Sequence, residues 1–112
     1  MKVLILDDNP IRLSLFRSKL IGHTVFTTMT SEEAIDALKS DDFDIVSLDH
    51  DLGGEQMVDS GKGTGYEVAE FLSKNPDRMP KEIYIHSYNP VGAKNMQRIL
   101  PGSILAPGNW KS

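Results

Sequence analysis

Four aspartates and two histidines in this sequence stand at the ends of short apolar runs. Asp7 and Asp8 follow Val3 to Leu6, Asp49, His50 and Asp51 follow Phe43 to Leu48, and His86 follows Ile83 to Ile85. Carboxylates brought within a few ångströms of one another repel strongly unless protons or a cation intervene. Hard oxygen donors with open positions suit Mg²⁺ or Mn²⁺, which makes Asp7, Asp8 and Asp49 candidate metal ligands, with Asp51 beside them. For Asp8 a simpler role in the turn before Asn9 competes with ligation. Imidazole is the side chain suited to carry protons at neutral pH, so His86 and His50 are candidate proton carriers beside Asp49 as a candidate catalytic carboxylate. The competing reading of His86 is a half-buried strand residue bonded to a carbonyl, its side chain opposite to Ile85 and Ser87. His50 carries the same two readings, and His23, which opens a strand away from these residues, is structural. Asn89-Pro90 leaves backbone N–H groups at Val91 to Ala93 for an anion, with Gly92 allowing close approach and Ser87 donating from beside it.

The elements that must position these residues alternate between strand and helix. Val3 to Leu6 is wholly apolar, as expected of a parallel strand covered on both faces. Asn9-Pro10 is a cap followed by a proline at the first helical position, opening a helix to about Leu20 whose apolar positions are Ile11, Leu15 and Phe16. Gly22 stops it. His23 to Met29 reads as a second strand, and Thr30 with Glu33 forms a capping box for a helix through Ala34, Ile35 and Leu38. Phe43 to Leu48 is a third strand. The stretch from Gly53 to Gly65 holds five glycines and few apolar residues, the composition of a mobile loop. Tyr66 to Ser73 is helical and ends at Asn75-Pro76. Ile83 to Ile85 is a fourth strand, Asn89-Pro90 opens a helix to about Leu100, and Ser103 to Leu105 is a short fifth strand. Such alternation predicts a doubly wound α/β domain with an open parallel sheet ordered 2-1-3-4-5. Ligands of such sheets bind at the carboxyl ends of the strands, where the acidic residues fall.

Composition narrows the function classes. At 112 residues the chain is one domain, residues 1–112, with 39% hydrophobic and 25% charged residues. It has no cysteine, which removes disulfides, thiolate metal sites and a cysteine nucleophile, and is consistent with a cytoplasmic setting. No apolar run is long enough for a membrane span or a signal peptide. A net charge of −4 argues against a broad nucleic-acid-binding surface. Gly61-Lys62-Gly63-Thr64 departs from a phosphate-binding loop in its first glycine and in the residue after lysine, and reads instead as a lid from which Lys62 can reach a bound phosphate. Trp110 is a candidate for docking on the sheet edge or a partner.

Val3 to Asp8 and Asp44 to Asp49 resemble the first and third strands of two-component response-regulator receiver domains, and the likeness runs from Met1 to about Pro107. That resemblance implies Mg²⁺ on the aspartate pair, phosphoryl transfer to Asp49, a glycine opening the third helix at Gly65, and a switch hydroxyl at Ser87. Ala106-Pro107 stands where receivers carry lysine and proline, and no residues remain for a fifth helix. Asp49 to Gly54 and His86 to Gly92, followed by Asn95-Met96, resemble the receiver-derived group described as cyclic-phosphate-processing receiver domains. The implied function is a Mg²⁺-dependent phosphoesterase acting on a cyclic or terminal phosphate of a nucleotide or RNA end. The alternatives are a stand-alone receiver phosphorylated on Asp49 and a nucleotide-binding protein without turnover.

Overall fold

The computed structural model describes residues 1–52 and 59–106. Five parallel strands form one sheet: β1 (Lys2–Leu6), β2 (Thr24–Thr28), β3 (Ile45–Leu48), β4 (Glu82–Ile85) and β5 (Ile104–Leu105), in the order β2-β1-β3-β4-β5. Four helices connect them: α1 (Pro10–Lys19), α2 (Ser31–Ser40), α3 (Gly65–Lys74) and α4 (Pro90–Ile99). This is the doubly wound order expected from the sequence, with β1 and β4 beginning one residue before the apolar runs that announced them and β2, β3 and β5 shorter than expected. A 3₁₀ turn at Pro76–Arg78 follows α3.

Strand side chains alternate between faces, so each strand feeds two cores. Leu4 and Leu6 of β1, Val46 and Leu48 of β3, and Ile83 and Ile85 of β4 join Ala34, Leu38, Val68, Leu72 and Met96 beneath α2, α3 and α4. Val3 and Ile5, Ile45 and Tyr84 face the other way, onto Leu13, Phe16 and Leu20 of α1 and its C-cap. Continued one residue past each strand, the same alternation carries Asp7, Asp49 and His86 to the α1 face. Asp8, His50 and Ser87 fall on the opposite face.

Helix α1 corrects one expectation. Its buried positions are Leu13 and Phe16, whereas Ile11 and Leu15 are 72% and 56% exposed. The Asn9 side chain accepts from the backbone N–H groups of Ile11 and Arg12, which fixes where the helix starts and hence its rotation. The stripe at 13, 16 and 20 then meets the sheet, and Arg12 is turned toward the strand ends. The α2 capping box is present as expected, with Glu33 N–H bonded to Thr30 and the Glu33 carboxylate accepting from Thr30 N–H. Gly22, at φ +97°, follows α1 in the left-handed region.

Candidate functional site

The strand ends hold two separate clusters, one on each face of the sheet. On the α1 face Asp7 is completely buried and accepts four hydrogen bonds. Its Oδ1 accepts from Asn9 N–H at 2.8 Å and from an Arg12 terminal nitrogen at 2.9 Å. Its Oδ2 accepts from Arg12 Nε at 2.8 Å and from His86 Nε2 at 3.0 Å. The same Arg12 terminal nitrogen reaches Asp49 Oδ2 at 3.3 Å, while Asp49 Oδ1 accepts from His50 N–H at 2.8 Å. Arg12 therefore bridges the first-strand and third-strand carboxylates. It is a residue that sequence reasoning missed, as are Ser47 beside His86 and Ser60 beside His50.

The electrostatics follow from that bridge. Burial pushes the Asp7 carboxyl up, but the bonds from His86, Arg12 and Asn9 outweigh it and hold it down at about 2. Asp49 has fewer donors; burial first, and then the Asp7 charge, push it up to about 7 against the pull of Arg12. The bond to Asp7 raises Arg12 further above its already high value. Two neighbouring carboxyls thus have opposite tendencies, one ionised throughout the ordinary range and one titrating near neutrality.

His86 is buried between Asp7 and Ser47. An ionised Asp7 only accepts, so His86 Nε2 carries the proton and Nδ1, 2.7 Å from Ser47 Oγ, accepts from that hydroxyl. Burial lowers its pKa despite Asp7, which keeps the ring neutral. Phe16 packs edge-on against it at 5.0 Å between centroids. Both ring nitrogens are thereby occupied, so this geometry gives His86 the part of holding Asp7 in place. The alternation that turns it away from Ser87 is what brings it to Asp7.

On the opposite face His50 is also completely buried. Its Nδ1 lies 2.8 Å from Asp51 Oδ1 and its Nε2 2.9 Å from Ser60 Oγ, to which Asn95 Nδ2 also donates at 2.9 Å. Asn89 Nδ2 donates to the same Asp51 oxygen at 3.0 Å, and Asn89 Oδ1 caps α4 by accepting from Gly92 N–H at 3.0 Å. A consistent set of protons runs from Asn95 to the Ser60 hydroxyl to His50 Nε2, with His50 Nδ1–H on Asp51. The phosphate cradle expected at Val91 to Ala93 is largely committed: Gly92 N–H goes to Asn89 Oδ1 and Ala93 N–H to Asn89 O. The hydroxyl of Ser87 accepts from Asn89 N–H at 3.0 Å. Gly92 serves a different purpose from the one expected of it. A Cβ there would lie 2.5 Å from the His50 ring, so its bareness admits the imidazole. Gly65 likewise lets α3 touch the end of β3, since a Cβ would strike the Asp49 carbonyl oxygen.

Asp7, Asp49 and His86 offer ligand atoms that all lie within 4.8 Å of one another, and they form the group among the described residues suited to hold an ion. Carboxylates of this kind fit Mg²⁺ or Mn²⁺. Asp51 is engaged with His50 and Asn89 on the other face. Asp8 lines a cleft between α2 and α3 with Thr30, Ile35, Leu52, Lys62 and Glu67. The expected loop from Gly53 to Gly65 is described from Asp59 onward, and in its expected lid, Gly61 to Thr64, the Thr64 side chain caps α3; Gly53, Gly54 and Trp110 lie outside the described residues. No described helix is long and apolar enough to cross a membrane.

A family model described as the cyclic-phosphate processing receiver domain matches residues 2–102. No curated protein matches the chain. Among solved structures it resembles the response regulator TrrA of Thermotoga maritima in complex with Mg²⁺ and beryllofluoride, with a TM-score of 0.73 and 23% identity over 98% of this chain and 88% of that one. It also resembles the chemotaxis protein CheY4 of Vibrio cholerae, with a TM-score of 0.74 and 18% identity over 98% and 88% of the two chains. The phosphorylated cyanobacterial phytochrome response regulator RcpA is similar at a TM-score of 0.76 and 16% identity, covering 98% and 81%. At such identities these likenesses speak for the fold.

Proposed function

This chain belongs to the family of cyclic-phosphate processing receiver domains, and from that premise we propose that it is a phosphoesterase opening a cyclic phosphate, or removing a terminal one, on a nucleotide or RNA end. The observation that carries the reading is the Asp7–Asp49 pair at the strand ends, already bridged by a cation, Arg12. Such a place favours a ligand that brings its own positive charge and takes up negative charge in reaction. Asp7 and Asp49 would hold Mg²⁺ or Mn²⁺, while Asp8 lines the cleft on the other face. The ion would neutralise phosphate charge and make a bound water more acidic. His86 keeps Asp7 oriented. Lys62, which lines the cleft with Asp8, would meet phosphate oxygens. His50, oriented by Asp51, would take a proton through the Ser60 hydroxyl from the water that adds to phosphorus and return it by the same hydroxyl to the oxygen whose bond to phosphorus breaks.

The second reading is a stand-alone receiver that carries a phosphoryl group on Asp49. It is favoured by the position of Asp49 at the end of β3 in a fold shared with TrrA, whose structure includes Mg²⁺ and beryllofluoride. Against it stands Ala106, which offers no cation at the end of β5. One experiment separates the two readings. The protein is incubated, with and without Mg²⁺, with a panel of cyclic nucleotides and RNA ends and, separately, with acetyl phosphate. Nucleotides and intact protein are then analysed by mass spectrometry. We expect a Mg²⁺-dependent gain of one water by a cyclic phosphate, abolished in Asp49→Asn, with little adduct on the protein. A long-lived phosphoryl adduct on Asp49 with no turnover of any substrate would establish the signalling reading instead.

A further inference from the structure

The structure assigns to Arg12 the part of an exchangeable internal cation: its guanidinium and a divalent metal ion exclude each other at Asp7 and Asp49, and a phosphate-bearing ligand tips the exchange by drawing Arg12 onto its own oxygens. This rests on the metal-holding role given to Asp7 and Asp49 above, and it holds under either functional reading. A carboxylate has about four lone-pair positions, and all four of Asp7 are filled, two of them by Arg12. No direction remains from which a metal ion can reach Asp7 while the guanidinium is in place. The two cations also repel, across a wall of the protein where Asp7 is sealed from water. Asp49 Oδ2, the other oxygen a metal ion needs, is held by the same guanidinium nitrogen at 3.3 Å.

Arg12 is free to leave in a way that its partners are not. Its side chain is 31% exposed while those of Asp7 and His86 have no exposure, and it stands in the first turn of α1 at the mouth of the site. The planar fork that meets Asp7 through Nε and a terminal nitrogen matches two phosphate oxygens equally well. A phosphate arriving with the metal ion therefore offers Arg12 what it gives up at Asp7. His86 and Asn9 remain on Asp7 throughout, so the carboxylate keeps its orientation when the cations trade places. Metal and phosphate affinities are then coupled through one side chain, and the coupling is reciprocal.

The test is Mg²⁺ titration by calorimetry on the full chain, with and without inorganic phosphate, for wild type, Arg12→Gln and Arg12→Lys. Fold is checked by circular dichroism on the same samples. We expect Arg12→Gln to bind Mg²⁺ alone roughly tenfold or more tightly than wild type, within the usual range of site-to-site coupling. Phosphate should tighten Mg²⁺ binding by a larger factor in wild type than in Arg12→Gln. Arg12→Lys retains the charge without the fork and should lie between them, which keeps the comparison open should the Gln variant fold poorly. Equal Mg²⁺ affinity in wild type and both variants overturns the exchange and leaves the metal assignment standing. Absence of Mg²⁺ binding in all three overturns both. Loss of turnover across the cyclic-phosphate panel with the exchange intact would instead remove the hydrolase reading alone.

Discussion

The carboxyl groups of Asp7 and Asp49 answer acid in opposite ways. Asp49, raised to about 7, takes up a proton more readily in the folded chain than in the unfolded one, where its value is near 3.8. Its contribution to stability is therefore complete below about 4 and is lost as pH rises through about 7. Asp7, depressed to about 2, stabilises above about 4 and loses that contribution as pH falls toward 2. Replacing Asp49 by Asn removes the first dependence and leaves the second. In metal-free buffer the Asp49→Asn variant should match wild type near pH 4 and exceed it by about 1 kcal/mol or more at pH 8, read as a thermal midpoint that diverges across that interval. His86, whose lowered pKa makes both proteins less stable as pH falls below its unfolded value, cancels in the comparison. A pH-independent difference would mean that Asp49 is not raised. Much of this centre was written in the sequence, since Asp7, Asp49 and His86 all follow apolar runs. The partner of His86 was not read, although alternation along β1, β3 and β4 puts residues 7, 49 and 86 on one face; the sequence offered a backbone carbonyl instead. Arg12 was harder to see, for its place depends on the rotation of a helix.

At the level of elements, that rotation is decided by the Asn9 cap and by which apolar stripe is longer. Ile11 and Leu15 make one pair at helical spacing, whereas Leu13, Phe16 and Leu20 extend over two turns and cover more of the sheet. The longer stripe wins because it removes more apolar surface from water. Helix α3 is placed by a different device. Gly65 brings its first turn against the Asp49 carbonyl, and Gly65 N–H donates to His50 O at 2.9 Å. Gly65→Ala should cost roughly 1–3 kcal/mol through forced separation of α3 from β3. Gly61→Ala, where an added Cβ meets nothing within 4 Å, should be close to neutral. Urea midpoints of the two variants compare them directly, and equal midpoints would show that the helix has room to move. The role of Gly92 was misread from sequence for a related reason. A glycine just inside a helix start announces a close approach, but not whether the approaching group is a phosphate or, as here, the imidazole of His50.

Over the whole molecule, strand order and element boundaries were legible because each apolar run is bounded by a cap, a proline or a glycine. The division of the strand ends into two clusters was not, because reading the polar residues as one site ignored the face on which each falls. The bond between His86 and Asp7 spans 79 positions of the chain and the contact between Arg12 and Asp49 spans 37. The acidic centre therefore exists only after β1, β3 and β4 have all come into register, and such non-local pairing is the slow part of folding. An ion or phosphate that binds this centre meets a nearly finished protein. Ligand should accordingly leave the refolding rate almost unchanged and slow unfolding, so that in stopped-flow denaturant jumps with Mg²⁺ and phosphate only the unfolding arm of the kinetic plot moves. Equal movement of both arms would mean that the three strands meet earlier than the site requires. The protein's resistance to transient opening would then be set in the cell by how long its ligand stays bound, a matter of lifetime more than of equilibrium strength.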